Sequence, residues 1–341
     1  QGFPARSLSS RLQTSAVMPS YSWKKLPTSD APVQRSSHGM SCINNVAYVF
    51  GGEHIARTPI DSNVFKLDLS SPSFQWKMIA AEGDSPPPRV AHAQAAIGSK
   101  IYIFGGRQGI GMDEAPLADM YEFDVVTNRW SRVEPQGGSP PPARSFHRMV
   151  AVGKDLFVFG GCGTAGRMSD LHRFDTEERK WEAMPSSDKI LGRGGASFVH
   201  GGGQLFVVAG FSGKEMNDAH VFNVSTREWS EVSLAGLRAR SVCGDCCLGD
   251  FVCVFGGEVD PSDRGHEGAG AFANDLVLLH TKSKELVVPT PEEGNEDPPP
   301  RGWTAMAAVG EDKAILFGGL SGDDQAPTRM NDLYMLELKG K

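Results

Sequence analysis

Short apolar runs along the chain end in glycine-rich turns, and this pattern occurs six times. The runs are YVFGG, IYIFGG, LFVFGG, LFVVAG, FVCVFGG and ILFGG, and their last glycines are Gly52, Gly106, Gly161, Gly210, Gly257 and Gly319. Successive glycines of this set are 47 to 62 residues apart. Repeats of this length made of short strands and turns are typical of β-propellers, in which each repeat forms one blade. The pattern therefore predicts six blades.

Two further markers recur in phase with these glycines. An arginine opens each repeat, and the six are Arg35, Arg89, Arg144, Arg193, Arg240 and Arg301. After each glycine pair come a loop and an alternating, strand-like segment such as SNVFKLDL or ADMYEFDV. Four repeats then have a tryptophan: Trp76, Trp130, Trp181 and Trp229. We predict an all-β fold with four strands per blade, a to d, running from the arginine to the tryptophan.

The first and last segments of the repeat region complement each other. The sixth repeat ends after its strand c, at Leu338, while residues 21–26 (YSWKKL) have the form of a strand d. We predict that this N-terminal strand completes the last blade, because a closed ring leaves no open sheet edge. Residues 18–341 then form a single propeller. The fifth repeat has KELVV, ending at Val288, where other repeats have the tryptophan.

Residues 1–17 stand apart from this pattern, with two arginines, four serines and no acidic residue. This composition fits a transit peptide. It fits a non-native extension equally well, so both interpretations stay open and the segment is excluded from the fold. We expect a cytoplasmic protein, or an organellar one if residues 1–17 are a transit peptide.

The composition limits the kinds of molecule that the protein is expected to bind. The net charge is −7 and the pI is near 5.7, whereas nucleic-acid binding requires a concentrated basic surface. No apolar run reaches the roughly 18 residues of a membrane span. The six cysteines show no second pair at zinc-site spacing, and we interpret them as buried thiols of a reduced, intracellular protein. The oligomeric state is left open.

One face of the propeller is expected to carry the functional site. In a four-stranded blade the b–c loops and the d–a connections emerge on the same face, so the opening arginines converge near the axis there. Guanidinium groups suit carboxylate, sulfate or phosphate, which predicts a pocket for a small anion. The alternative is structural: an arginine present in every repeat makes hydrogen bonds between adjacent blades.

The fifth b–c loop is the longest and the most distinctive. Its segment from Gly256 to Gly270, GGEVDPSDRGHEGAG, holds four carboxylates and one histidine within ten residues. Carboxylate and imidazole ligands suit a divalent transition metal such as Fe(II) or Mn(II). A loop rich in Asp, Pro and Gly is equally well explained as a folded turn whose acids cap backbone N–H groups.

The sixth repeat opens with Arg301-Gly-Trp303, which places a tryptophan near the axis. Blade packing in the other repeats does not use this position. The indole would stack on a ligand or plug the channel, and both interpretations stay open.

Four motifs give the chain a resemblance to a known family. They are GGE-x-DPS-x-x-GH-x-GAG at 256–270, PPPRV at 86–90, GCG-x-x-GR at 161–167 and PPRGW at 299–303. With them, residues from about 21 to 338 resemble the nitrile-specifier and epithiospecifier group of kelch proteins and its plant and fungal kelch relatives. Bare kelch repeats are weakly specific, whereas the fifth-blade loop is a fairly specific signal.

The resemblance implies a ferrous-iron site of the form Glu-x-x-x-Asp-x-x-x-His that assists conversion of glucosinolate aglycones to nitriles. In this chain Glu258 and His266 hold the outer positions and Ser262 holds the middle one. Asp263 is the carboxylate one residue further on, which makes Glu258, His266 and Asp263 the predicted metal ligands.

The resemblance also implies that Arg89, Arg144 and Trp303 face the ligand. We therefore predict a specifier-like propeller that binds a small anionic ligand, and a divalent metal, on its loop face. One alternative is an Fe(II)-dependent lyase of the nitrile-forming type, so enzymatic activity is left open. The other is an adaptor that binds a protein partner on the same face.

Overall fold

A computed structural model describes residues 18–109, 115–264 and 268–340 of the chain. These residues form strands, turns and bends, and they include no helix, hence none that could cross a membrane. The strands form six antiparallel blades, each ordered a to d, which confirms the predicted all-β six-bladed propeller. The predicted leader, residues 1–17, lies outside the described residues.

Each blade has four main strands, named a, b, c and d from the channel outward. Blade 1 consists of Gly39–Ile43, Val46–Phe50, Val64–Asp68 and Lys77–Ile79. Blade 2 consists of Ala93–Ile97, Lys100–Phe104, Met120–Asp124 and Arg129–Arg132. Blade 3 consists of Arg148–Val152, Asp155–Gly163, Gly166–Asp175 and Lys180–Ala183. Blade 4 consists of Ser197–Gly201, Gln204–Val208, Ala219–Asn223 and Glu228–Val232. Blade 5 consists of Gly244–Leu248, Phe251–Phe255, Leu276–His280 and Leu286–Val287. Blade 6 consists of Ala305–Ala308, Lys313–Ser321, Thr328–Lys339 and, as strand d, Ser20–Leu26.

The N-terminal strand Ser20–Leu26 closes the ring as predicted. It pairs antiparallel with strand c of blade 6, with Trp23 opposite Leu336. Its other edge is covered by Thr290–Pro291, which runs parallel to it. On the same edge, the backbone N–H of Trp23 donates a hydrogen bond to Asn295 Oδ1 at 2.7 Å. The strand is therefore held on both edges.

A closed ring of backbone hydrogen bonds surrounds the channel. Its members each lie two residues after an opening arginine, and the N–H of each donates to the carbonyl of the member in the preceding blade at 2.7–2.9 Å. The members are Ser37, Ala91, Phe146, Gly195, Val242 and Trp303. All six have φ between 50 and 61°. A bulky residue in this left-handed region is strained, so the hydrogen bonds of the ring have to hold it there.

The glycine pairs are explained by a second set of bonds between blades. The N–H of the second glycine in each pair donates to the carbonyl of the next blade's opening arginine, as Gly106 does to Arg144 at 2.9 Å. Gly106 has φ of 99°, and a Cβ there would lie 2.8 Å from the Val90 carbonyl oxygen. Only glycine fits this position, which is why the second glycine recurs in all six repeats, whereas blade 4 has Ala209 at the first position.

The side chain of each opening arginine ties the strands of its own blade together. All six guanidinium groups are buried, and Nη1 of each donates to the carbonyl of the residue before the second glycine of the pair, at 2.9–3.0 Å. In five blades the guanidinium also makes two bonds to an aspartate at the start of strand c, at 2.5–3.1 Å. Those aspartates are Asp119, Asp170, Asp218, Asp275 and Asp332.

Blade 1 departs from this arrangement, because Asn63 stands where the other blades have the aspartate. Among the described residues, Nη2 of Arg35 is buried with no hydrogen-bond partner. Burial lowers the pKa of Arg35 to about 10, and Asp61 offsets this only through its charge.

The seams between blades share an aromatic pair, with one exception. The strand-d tryptophan of a blade packs on the phenylalanine that precedes the glycine pair of the blade before it, with ring centroids 4.9–6.0 Å apart. Between blades 4 and 5 the two positions are Val208 and Leu286, which lie in one aliphatic cluster. The loss of tryptophan from blade 5 is thus matched by the loss of phenylalanine from blade 4.

We expect Asn63→Asp to raise the free energy of unfolding, because the new carboxylate would pair with the buried Arg35 guanidinium. Hydrogen bonds to charged groups contribute roughly 1.5–3 kcal/mol each, so the gain should be on the order of 1–3 kcal/mol in urea titrations. The converse change, Asp119→Asn, should lower it by about 3–5 kcal/mol because it leaves Arg89 unpaired. A destabilised Asn63→Asp variant would contradict this account of blade 1.

Candidate ligand-binding site

A cavity of about 390 Å³ lies at the loop-face end of the central channel. Its floor is made by Phe146 and Trp303, two members of the backbone ring, whose side chains meet edge to face with centroids 5.4 Å apart. The positive φ of these residues turns them into the channel. Trp303 therefore lines the cavity and narrows the channel beneath it. This position is compatible with both predicted roles, stacking on a ligand and plugging the channel.

Two arginines from neighbouring blades form the cationic wall of the cavity. Arg107 follows the glycine pair of blade 2, and Arg167 lies at the start of strand c of blade 3. The Cζ atom of Arg107 lies 5.4 Å from the Phe146 ring centroid, and that of Arg167 lies 4.6 Å from the Phe211 centroid. A cation–π contact of this kind holds the guanidinium against the face of the ring.

The wall contributed by blades 4 and 5 is acidic. Glu258 lines the cavity and is buried; burial raises its pKa to about 7, although it accepts backbone hydrogen bonds from Ser262 and Gly270. Glu215 lies behind Ser241, whose hydroxyl donates to Glu215 Oε1 at 3.2 Å. Burial raises the pKa of Glu215 to about 8, and the Glu258 charge adds to this shift. This wall therefore holds two carboxyl groups that are costly to ionise.

A second cavity, of about 380 Å³, occupies the channel beyond the ring and is lined by the strands a. Arg148 crosses it and donates to the carbonyls of Ala196 and Cys243 at 3.1 and 3.0 Å. Asp245 lies 3.7 Å from this guanidinium and accepts the Phe198 N–H at 3.0 Å. These side chains form hydrogen bonds with backbone groups at the inner edges of the strands. Most of their hydrogen-bonding capacity is therefore used within the protein.

Arg89 and Arg144, predicted to face the ligand, do not line the loop-face cavity. Both are fully buried, and their guanidinium groups are paired with Asp119 and Asp170. The structure thus favours the structural interpretation of the repeated arginines. Their side chains bond within one blade, and it is their main-chain carbonyls that bond to the adjacent blade.

The predicted metal ligands are only partly brought together. Glu258 lines the cavity, and Asp263 is exposed on the loop outside it, while His266 lies outside the described residues. Ser262, at the middle position of the motif, donates its hydroxyl to Asp324 of the blade 6 loop. The described part of the chain contains no cluster of three His, Cys, Asp or Glu side chains that would hold a metal.

Two described acids accept backbone N–H groups of this loop. Glu258 does so from within the loop, and Asp324 of the blade 6 loop accepts the N–H of Ala269 at 3.0 Å. This favours the folded-turn interpretation for the described portion. The prediction of Fe(II) stays a prediction, because His266 belongs to it.

Two cavity residues, Arg107 and Arg167, were not identified from the sequence. The available signal was that neither position is arginine in every repeat: Arg107 directly follows the glycine pair of blade 2, where no other repeat has arginine, and Arg167 has its counterpart in Arg329 of blade 6. A residue that every blade needs has a structural role, whereas one that does not recur in every blade can serve a ligand. Arg167 ends the GCG-x-x-GR motif that carries part of the family resemblance.

The family of the chain follows from comparison with known proteins. Residues 37–257 match the family model described as KLHDC2/KLHL20/DRC7 Kelch-repeats domain, so the chain belongs to the kelch-repeat proteins. The solved structure of YjhT aligns with a TM-score of 0.72 at 17% identity, covering 92% of this chain and 99% of that chain. At this identity the likeness concerns the fold alone.

Individual relatives include proteins of different kinds. The N-(sulfonatooxy)prop-2-enimidothioate sulfolyase of Thlaspi arvense is 30% identical over 84% of this chain and 89% of its own length. Kelch domain-containing protein 2 of Bos taurus is 26% identical over 78% of this chain and 71% of its own length. The first of these confirms the relationship to the specifier group.

We expect Glu215→Gln to reduce the loss of stability as the pH rises from about 5 to 8. The folded-state pKa of Glu215 is raised from 4.5 to about 8, so in this window the folded state binds more protons than the unfolded state. Ionisation of Glu215 therefore lowers the free energy of unfolding as the pH rises. Urea titrations at pH 5, 6.5 and 8 measure this, with the exposed Glu231→Gln as the control. Parallel pH profiles for Glu215→Gln and wild type would contradict it.

Proposed function

We propose that this kelch propeller binds a small organic anion with an apolar part in the loop-face cavity. The observation that carries the proposal is the placement of Arg107 and Arg167 around a cavity with an aromatic floor. A largely apolar pocket with a few charged groups is the usual form of a small-molecule site. Guanidinium groups fixed on aromatic rings suit sulfate, sulfonate or carboxylate.

The name of the Thlaspi arvense relative is consistent with this ligand class. That protein is named for an N-(sulfonatooxy)prop-2-enimidothioate, which joins a sulfate ester to a short alkenyl group. A ligand of this type would place its anion at the arginines and its carbon chain against Phe146 and Trp303.

The test is titration of the protein with prop-2-ene-1-sulfonate, a stable compound with the same two parts. We expect saturable binding by calorimetry, and at least tenfold weaker binding to Arg167→Met, since losing a hydrogen bond to a charged group costs roughly 1.5–3 kcal/mol. Arg132→Met, which removes an exposed arginine of blade 2 strand d, should bind like wild type. Absence of saturation, or equal affinity in Arg167→Met, would reject the proposal.

An Fe(II)-dependent lyase is the second candidate, favoured by the word sulfolyase in the relative's name and by Glu258 in the cavity wall. The described residues lack a three-ligand set, so no reaction step is assigned to a metal. The experiment is iron analysis after anaerobic purification with Fe(II). The lyase predicts iron bound to wild type and lost from Glu258→Ala/His266→Ala, and equal iron contents would exclude it. A protein partner and a cytoplasmic location stay predictions.

A further inference from the structure

The loop-face cavity has arginines on one wall and a carboxyl group on the opposite wall. Arg107 comes from the b–c loop of blade 2 and Arg167 from the start of strand c of blade 3, whereas Glu258 comes from blade 5, with Glu215 of blade 4 behind Ser241. Among the described residues neither Glu258 nor Glu215 forms an ion pair with a lysine or arginine, so the two walls do not neutralise each other across the cavity. A sphere of the cavity's volume is only about 9 Å across, so a small ligand would lie against both walls.

Neither carboxyl group has a cationic partner among the described residues. Glu258 is only 8% exposed, and its hydrogen bonds in the described structure come from backbone amides of its own loop. Oε2 of Glu215 is buried with no hydrogen-bond partner among the described residues. Buried carboxylates are usually paired with a cation or with several donors. Among the described residues, the acidic wall therefore has hydrogen-bond donors but no cationic partner.

A plain anion fits only half of this cavity. Its charge would be favourable at Arg107 and Arg167, while its remainder would bring no donor or positive charge to Glu258, whose described hydrogen bonds come only from backbone amides of its loop. A ligand that also carries an amine satisfies both walls with one molecule, because an ammonium group donates three hydrogen bonds.

We propose that the ligand of this cavity is a small zwitterion, with its anionic group at Arg107 and Arg167 and its ammonium group at Glu258. This inference rests on the proposed function, since it names the class of anion bound by the same cavity. Glu215, linked to the cavity through Ser241, acts as a positioning residue that orients the hydroxyl on the acidic wall.

The test compares ω-aminoalkane-1-sulfonates of two to four methylenes with alkane-1-sulfonates of the same length. All titrations contain EDTA, so that a divalent metal does not bridge Glu258 and the ligand. We expect one amino compound to bind wild type at least tenfold more tightly than its alkane partner. This ratio should fall toward one in Glu258→Gln and stay unchanged in the exposed Glu231→Gln.

The outcomes separate the two proposals. If both series bind wild type with equal affinity, or if the alkane sulfonates bind better, the zwitterion is rejected while the anion site stands. If neither series binds, or if Arg167→Met leaves both affinities unchanged, the anion site itself is rejected. If Glu258→Gln fails to fold, as judged by thermal unfolding, Glu215→Gln replaces it. The amino preference should then fall at least threefold, and an unchanged ratio in that variant would overturn the inference.

Discussion

The closed ring of six backbone hydrogen bonds around the channel is the constraint on which the rest of the molecule depends. It joins every blade to the next, including blade 6 to blade 1, without using side chains. Its members have to adopt a left-handed backbone conformation, which for Val242 or Trp303 is unfavourable in isolation. Because the ring holds Phe146 and Trp303 in this conformation, it also turns their side chains into the channel. The floor of the cavity is thus a consequence of how the propeller closes.

The repeated arginines show how a charged residue becomes part of the architecture. Each guanidinium is buried, donates to a strand-b carbonyl and, in five blades, forms two bonds with an aspartate of strand c. Such a group is costly to bury unless all of its donors are used, and blade 1 shows the incomplete case at Arg35. Arg89 and Arg144 are fully buried in this arrangement and do not line the cavity. The cationic wall of the cavity comes instead from Arg107 and Arg167, at positions that are not arginine in every blade.

The family relationship and the local geometry point to the same loop face of the propeller but differ in the roles of individual residues there. The chain is a kelch-repeat protein related to a sulfolyase, and Glu258 of the shared loop does line the cavity. Ser262 stands at the middle position of the iron motif and bonds to Asp324 of the neighbouring blade. A carboxylate that would serve a metal in the motif is here linked by backbone hydrogen bonds to its own loop. The chemistry of this wall is therefore best probed with ligands that carry a positive charge.

The sequence alone determined the blade count, the strand order and closure by the strand of Trp23, because these depend on a period and on alternation, which are properties of the chain itself. It also located the loop face and selected Glu258 and Trp303, since both belong to segments that interrupt the repeat. Only the tertiary structure determined that Arg89 and Arg144 are buried within their blades and that Arg107 and Arg167 line the cavity. All four are arginines of the repeat region, and what separates them is the partner found in space. Arg89 and Arg144 are buried and pair with an aspartate some 30 residues further along the chain. Arg107 and Arg167 line a cavity to which several blades contribute.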